Sequence, residues 1–153
     1  MRIVSQSEEE TLALGQRLAT LLQDGTVLAL EGDLGCGKTV LSRGIARGLG
    51  ITEAVTSPTF TVAQEYPRPG GRFLYHLDMY RISDEDSALA FGIDEFLFQK
   101  NALTLVEWPE RIAGLLQGNS HLRIIHFRHL AEQQRELLLE DWPEEEEKEL
   151  EKR

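Results

Sequence analysis

Residues 29–44, ALEGDLGCGKTVLSRG, constrain this chain more than any other stretch. Gly32, Gly37, Lys38 and Thr39 satisfy the phosphate-loop spacing G-x-x-x-x-G-K-[ST]. At average composition chance produces that spacing in about 0.5% of chains of this length. The apolar run 27–30 in front predicts a short strand, and residues 40–49 predict a helix closed by Gly50. Strand, glycine-rich loop and helix are the context the motif requires. Glycines at 32, 35 and 37 let backbone N–H groups converge on phosphate oxygens where a side chain would block the approach. The helix adds the partial positive charge of its N-terminus. Lys38 is expected to neutralise the β- and γ-phosphates, and the Thr39 hydroxyl is placed to ligate Mg2+. The whole loop, Gly32, Asp33, Leu34, Gly35, Cys36, Gly37, Lys38 and Thr39, is thus the expected nucleotide cradle. A dinucleotide-type G-x-G-x-x-G reading needs a glycine at position 40, where Val40 stands, and fails.

The rest of the chain predicts alternating strands and helices. Ser7 and Glu10 form a capping box ahead of Leu14, Leu18, Leu21 and Leu22, which predicts a helix over 8–22. Residues 53–81 are rich in β-branched and aromatic side chains and broken by PRPGGR at 67–72, the pattern of a hairpin whose second arm is 73–80. Ser83 and the acids at 84–86 cap a helix through Phe91, a further helical turn follows over 93–99, and ALTLV at 102–106 is a buried strand ending in Glu107. HLRIIHF at 121–127 alternates as a strand, while the pattern of RHLAEQQRELLLE suits helix or strand. These elements predict an α/β layer fold with a mostly parallel sheet, a single domain over 1–140 and an acidic tail over 141–153. That tail, with no apolar face, is expected to be solvated and frayed.

Composition narrows the function classes. The 153 residues carry a net charge of −10, so a nucleic-acid backbone is repelled by the average surface and autonomous binding is disfavoured. No apolar run nears the ~20 residues of a membrane span. One cysteine and no basic-then-apolar start point to a cytoplasmic protein without a disulfide scaffold. The histidines 76, 121, 126 and 129 lack the spacing of a zinc site. Cys36 opens a helix, which lowers a thiol pKa and would allow a redox switch, but a small residue filling the loop is the preferred reading.

Magnesium calls for an acid at the end of a neighbouring buried strand. Glu107, leaving an apolar strand, is assigned to the metal, because a carboxylate there is costly unless it meets a cation. Asp78, in HLDMYR, is assigned to the attacking water or the γ-phosphate, although pattern alone leaves it equally a satisfied strand residue. TSPTF at 56–60 reads as a plain loop with hydroxyl side chains in reach of a γ-phosphate.

Taken together, GDLGCGKT, SPTF, HLDMYR and LVEWPE, in this order and spacing, resemble the TsaE (YjeE) family of small bacterial ATPases that support synthesis of threonylcarbamoyladenosine on tRNA. EEETLALGQRLA and GIDEF also resemble family segments, so the likeness covers all but the last dozen residues. It implies a P-loop NTPase-like fold, antiparallel edge strands and a C-terminal hairpin, which favours strand for RELLLE. It implies ATP and Mg2+ as ligands, with Thr39 and Glu107 on the metal. Asp78 becomes essential to hydrolysis and Thr59 part of a switch-like loop. Trp108 lies near the site, Arg135 meets the base or sugar, and Glu8 and Thr11 close over the nucleotide. The family acts with two partners of the ASKHA fold, and its slow ATP hydrolysis resets that complex between turnovers. Cys36 departs from the usual alanine, which bears on sensitivity to thiol reagents and not on activity. Two other readings stay open: a small-molecule kinase with Arg68, Arg72 or Arg81 as lid arginines, and a non-catalytic nucleotide-dependent binding module.

Overall fold

The computed structural model describes residues 1–33, 35–55 and 62–152. Leu34 and the 56–61 segment, which carries Thr59, lie outside the described residues. Among the described residues seven strands form one sheet: β1 (Arg2–Ser5), β2 (Val27–Glu31), β3 (Ala63–Arg68), β4 (Arg72–Asp78), β5 (Ala102–Glu107), β6 (Leu122–His129) and β7 (Arg135–Glu140). Their order across the sheet is β1-β7-β6-β2-β5-β4-β3. The central β6, β2, β5 and β4 are mutually parallel, while β3 and the β7–β1 pair run antiparallel at the two edges. This is the expected mixed α/β architecture. The segment left open by its pattern is strand β7, hairpinned to β6 through the turn at 130–134.

Among the described residues five helices flank the sheet: α1 (Glu8–Leu21), α2 (Lys38–Gly48), α3 (Glu85–Ala90), α4 (Ala113–Leu116) and α5 (Glu144–Glu151). Alternation along the buried strands sorts their side chains onto two faces. Leu28, Leu30, Leu74, Leu103 and Leu105 pack with α1 and α2, whereas Val27, Leu77 and Val106 face the layer that includes α3, α4 and the 3-10 turns Ile93–Phe96 and Pro109–Ile112. Ser7 caps α1 by accepting from the Glu10 amide at 3.2 Å. Glu10 reaches back to the Gln6 amide at 2.7 Å, one residue earlier than a reciprocal capping box would use.

Helices α1 and α2 touch backbone to backbone. A Cβ added at Gly15 would lie 2.5 Å from the Leu41 carbonyl oxygen and 2.8 Å from the Gly44 Cα, and one at Gly44 would strike the Leu12 carbonyl. The approach brings the first turn of α1 beside the phosphate loop at the start of α2.

The C-terminal segment corrects the sequence reading. Instead of a frayed tail, 144–151 form α5, with Trp142 and Leu150 buried in the core beneath α1. Trp142 Nε1 donates to the Ile124 carbonyl at 2.8 Å. Arg17 donates to the carbonyls of Glu149, Leu150 and Lys152, which places a cation at the negative end of α5. Arg123 pairs with Glu146 at 2.6 Å. Two apolar residues eight positions apart are too sparse for a periodicity signal, and backbone carbonyls capped from another helix leave none.

Gly44→Ala is expected to destabilise the fold by about 1–3 kcal/mol through overpacking. Alanine would favour an isolated helix by up to about 1 kcal/mol, so the sign itself discriminates. Urea unfolding followed by circular dichroism measures it.

Candidate functional site

Parallel order places the C-terminal ends of β2, β5 and β4 side by side, the usual binding edge of such sheets. The chain leaves β2 through the phosphate loop, where Gly32, Gly35 and Gly37 have φ of 152°, 78° and 105°, conformations a side chain would strain. Gly37 is the N-cap of α2 and uses no side chain, so the first amides of that helix face the loop.

Three chemically active side chains meet beneath the loop. Lys38 is 4% exposed; its Nζ donates to the Gly32 carbonyl at 2.6 Å, lies 4.0 Å from Glu107 Oε1 and sits 4.6 Å from the Trp108 ring centroid. Glu107, 5% exposed, holds its other oxygen, Oε2, 2.7 Å from His76 Nε2. Asp78 is the direct cross-strand neighbour of Glu107, and alternation puts His76, Asp78 and Glu107 on the face that carries α2. Asp78 Oδ1 accepts from the Tyr80 amide at 2.9 Å. Its pKa is raised, first by burial and further by the Glu107 charge, against the lowering effects of the Tyr80 amide, His76 and Lys38. Trp108 follows Glu107 in the left-handed region at φ 57°, a turn that directs the chain under Lys38, and stacks at a tilt on Tyr80 at 5.1 Å.

A cleft of about 930 Å³ opens above Lys38 and Glu107, which line it, whereas Asp78, His76 and Trp108 are not among its lining residues. Its lining includes Glu8, Thr11, Gly35, Gly37, Lys38, Thr39, Glu107 and Arg135. Thr11 lines it while its hydroxyl is engaged with Ser5 Oγ at 2.7 Å and the Ser7 carbonyl at 3.2 Å, which ties β1 to α1. Arg135 lies over Gly37; its Nη1 donates to the carbonyls of Ala131, Glu132 and Gln134, and its Nη2 is 3.5 Å from the Gly35 carbonyl. Asp33 is exposed, and its carbonyl accepts from the Cys36 amide at 3.3 Å. Cys36 is 3% exposed, and a Cβ added at Gly32 would lie 2.9 Å from its sulfur. Burial raises its thiol pKa, outweighing the lowering by Lys38 and the loop amides. The helix-terminus argument for a reactive thiol is therefore overridden by desolvation.

The oxygen donors suit Mg2+. Among the described residues no three His, Cys, Asp or Glu side chains form a protein cage. Magnesium takes one or two carboxylates plus phosphate oxygens and water, which Thr39, Glu107 and the adjacent Asp78 match.

Two of the arginines considered for a lid lie elsewhere. Arg68 and Arg72 pair with Asp24 at 2.7 and 3.5 Å. They face each other where the β3–β4 hairpin turns, Arg68 ending β3 and Arg72 opening β4, roughly 20 Å of extended chain from Asp78. His76 is the site residue the sequence left unassigned. Its alternation with Asp78 was visible, but its bond to Glu107 depends on the β4–β5 pairing.

A family model for "Threonylcarbamoyl adenosine biosynthesis protein TsaE" matches residues 5–137. Among curated proteins, the "tRNA threonylcarbamoyladenosine biosynthesis protein TsaE" of Bacillus subtilis is 49% identical over 68% of this chain and 63% of its own length. That of Treponema pallidum is 38% identical over 90% of this chain and 98% of its own. That of Synechocystis is 47% identical, and the match covers 66% of this chain and 65% of that protein. The match thus spans under two thirds of the Bacillus and Synechocystis proteins and nearly all of the Treponema one. The crystal structure of the Bacillus protein YdiB superposes with a TM-score of 0.74 at 34% identity, covering 91% of this chain and 83% of that one. Among the described residues no helix is long and apolar enough to cross a membrane.

Two measurements test the electrostatics. The fold disfavours ionised Asp78, a penalty present above its raised pKa and lost as pH falls into the ordinary aspartate range. Asp78→Asn should therefore melt higher than wild type at pH 7, and the difference should vanish near pH 3.5–4. Cys36 should react with an aromatic disulfide reagent at pH 8 at least about ten times more slowly in the native than in the urea-unfolded protein, because the thiolate is the reacting species.

Proposed function

The chain belongs to the TsaE family of threonylcarbamoyl adenosine biosynthesis proteins, and from that premise we propose that it is a Mg2+-dependent ATPase. It drives a partner protein complex in threonylcarbamoyladenosine synthesis on tRNA and acts in the cytoplasm. The observation that carries the reading is the convergence of Lys38 and Glu107 at 4.0 Å under a phosphate loop, with Asp78 directly across the strand pair.

Lys38 and the first amides of α2 hold the β- and γ-phosphates. Thr39 and Glu107 hold Mg2+, which when bound neutralises charge developing on the phosphate oxygens. Asp78 orients the water for in-line attack on the γ-phosphate and takes its proton in the ionised form. Arg135, bound over Gly37, contacts the base or sugar, and Glu8 and Thr11 form the opposite lip of the cleft. Thr59, which lies outside the described residues, is assigned to the γ-phosphate by the resemblance alone. The partners are two ASKHA-fold proteins, and tRNA is reached through them. A net charge of −10 supports action on a protein complex over a direct grip on RNA. The tethering of Arg68 and Arg72 to Asp24 weighs against a kinase lid built from them.

The test is phosphate release by the purified protein with and without both partners. We expect stimulation by the partners, and a fall of about 100-fold or more in Lys38→Ala and Asp78→Asn, the scale of a lost transition-state contact. No stimulation, with Lys38→Ala equal to wild type, would reject the proposal. Hydrolysis untouched by Asp78→Asn, with ATP-dependent complex formation intact, would favour a non-catalytic binding module.

A further inference from the structure

His76 is buried completely, sits on β4 two residues before Asp78, and touches Glu107 across the strand pair. Its second ring nitrogen, Nδ1, has no hydrogen-bond partner among the described residues. A buried imidazole with one partner is not placed there for packing, since a leucine would fill the position without an unmatched polar atom. The single bond determines the tautomer. Glu107 Oε2 is an acceptor, so Nε2 carries the proton of this bond.

The geometry points to His76 as a positioning residue for Glu107: Nε2–H holds Oε2 and so leaves Oε1 turned toward Lys38 and the phosphate site. This rests on the assignment of Glu107 to the metal proposed above. The glutamate has several rotatable bonds and ends a strand just before the left-handed turn at Trp108. Lys38 restrains it weakly, at 4.0 Å and with its ammonium already donating to Gly32. The 2.7 Å bond to a ring that is itself immobilised by complete burial is the shorter contact, and it selects which oxygen faces the cleft. Groups that orient a metal-binding side chain typically matter 10- to 100-fold to metal affinity or activity, about the scale expected here. In Gln, Nε2 stands as many bonds from the backbone as the imidazole Nε2 reached through Cδ2, so the amide restores a donor of similar reach, and Leu restores only volume.

The experiment measures nucleotide binding by calorimetry across a Mg2+ titration, with steady-state hydrolysis alongside, for wild type, His76→Gln, His76→Leu and Glu107→Gln. In His76→Leu we expect nucleotide affinity without Mg2+ to stay within about twofold, half-saturating Mg2+ to rise about tenfold, and kcat to fall with little change in KM. His76→Gln should recover most of the loss. Nitrogen-15 spectra of the ligand-free wild type should show the Nε2-protonated tautomer, a readout that needs no variant to fold. A ring protonated at Nδ1 alone, or an unchanged Mg2+ dependence in folded His76→Leu while Glu107→Gln shifts it, overturns the role of His76 alone. An unchanged Mg2+ dependence in Glu107→Gln overturns the metal assignment beneath it.

Discussion

A carboxylate buried at the end of a central strand is expensive unless charge and hydrogen bonds meet it, and Glu107 is such a group. Three separate parts of the chain converge to satisfy it: Lys38 from the loop after β2, His76 from β4, and the strand β5 that carries it. This requirement explains why the sheet order matters more than any single motif. With β5 between β2 and β4, the lysine and the histidine approach the same carboxylate from opposite sides. Either neighbour placed one strand further away would leave a buried charge half-satisfied, at a cost of several kcal/mol.

The second constraint is mechanical. Helix α2 must point its N-terminus at the cleft, and it is held there by backbone contact with α1 through Gly15 and Gly44. The same contact brings Glu8 and Thr11 to one side of the opening, while the β6–β7 hairpin carries Arg135 to the loop. The edge strands therefore contribute to the site as well as closing the sheet. β1 is drawn against β7 by Arg2, which meets the buried Glu136 at 2.6 Å, and it ends at Ser5, whose hydroxyl holds Thr11.

Local chemistry made half of this legible in the sequence. The phosphate loop, the Ser7 cap, the PRPGGR hairpin and the acid ending an apolar strand are each determined by neighbours a few residues away. What stayed hidden depends on distant pairing. β1 is four residues that gain their hydrogen bonds from β7, more than 130 positions along the chain. Helix α5 buries Trp142 and Leu150 but draws its end contacts from Arg17 on another helix. His76 looked like one of four unremarkable histidines until the register set it against Glu107. Cys36 shows the converse: its place at a helix N-terminus argues for a lowered thiol pKa, and its burial under the loop reverses that direction, in keeping with the preferred reading of a small residue filling the loop.

The charge distribution completes the physical account. Glu8, Glu9 and Glu132 line the same cleft as Lys38 and Arg135, so the phosphate cradle is rimmed with acids. Such a rim repels a bare polyphosphate or a nucleic-acid backbone, whose charge must be met along its length. On the proposed reading, a nucleotide that brings its own divalent cation presents a smaller net charge to the rim and reaches the helix N-terminus and Lys38 beyond it. On the proposed reading the acidic lips thus act with Glu107: the rim disfavours phosphate without the cation, and the buried carboxylate holds the cation once it arrives.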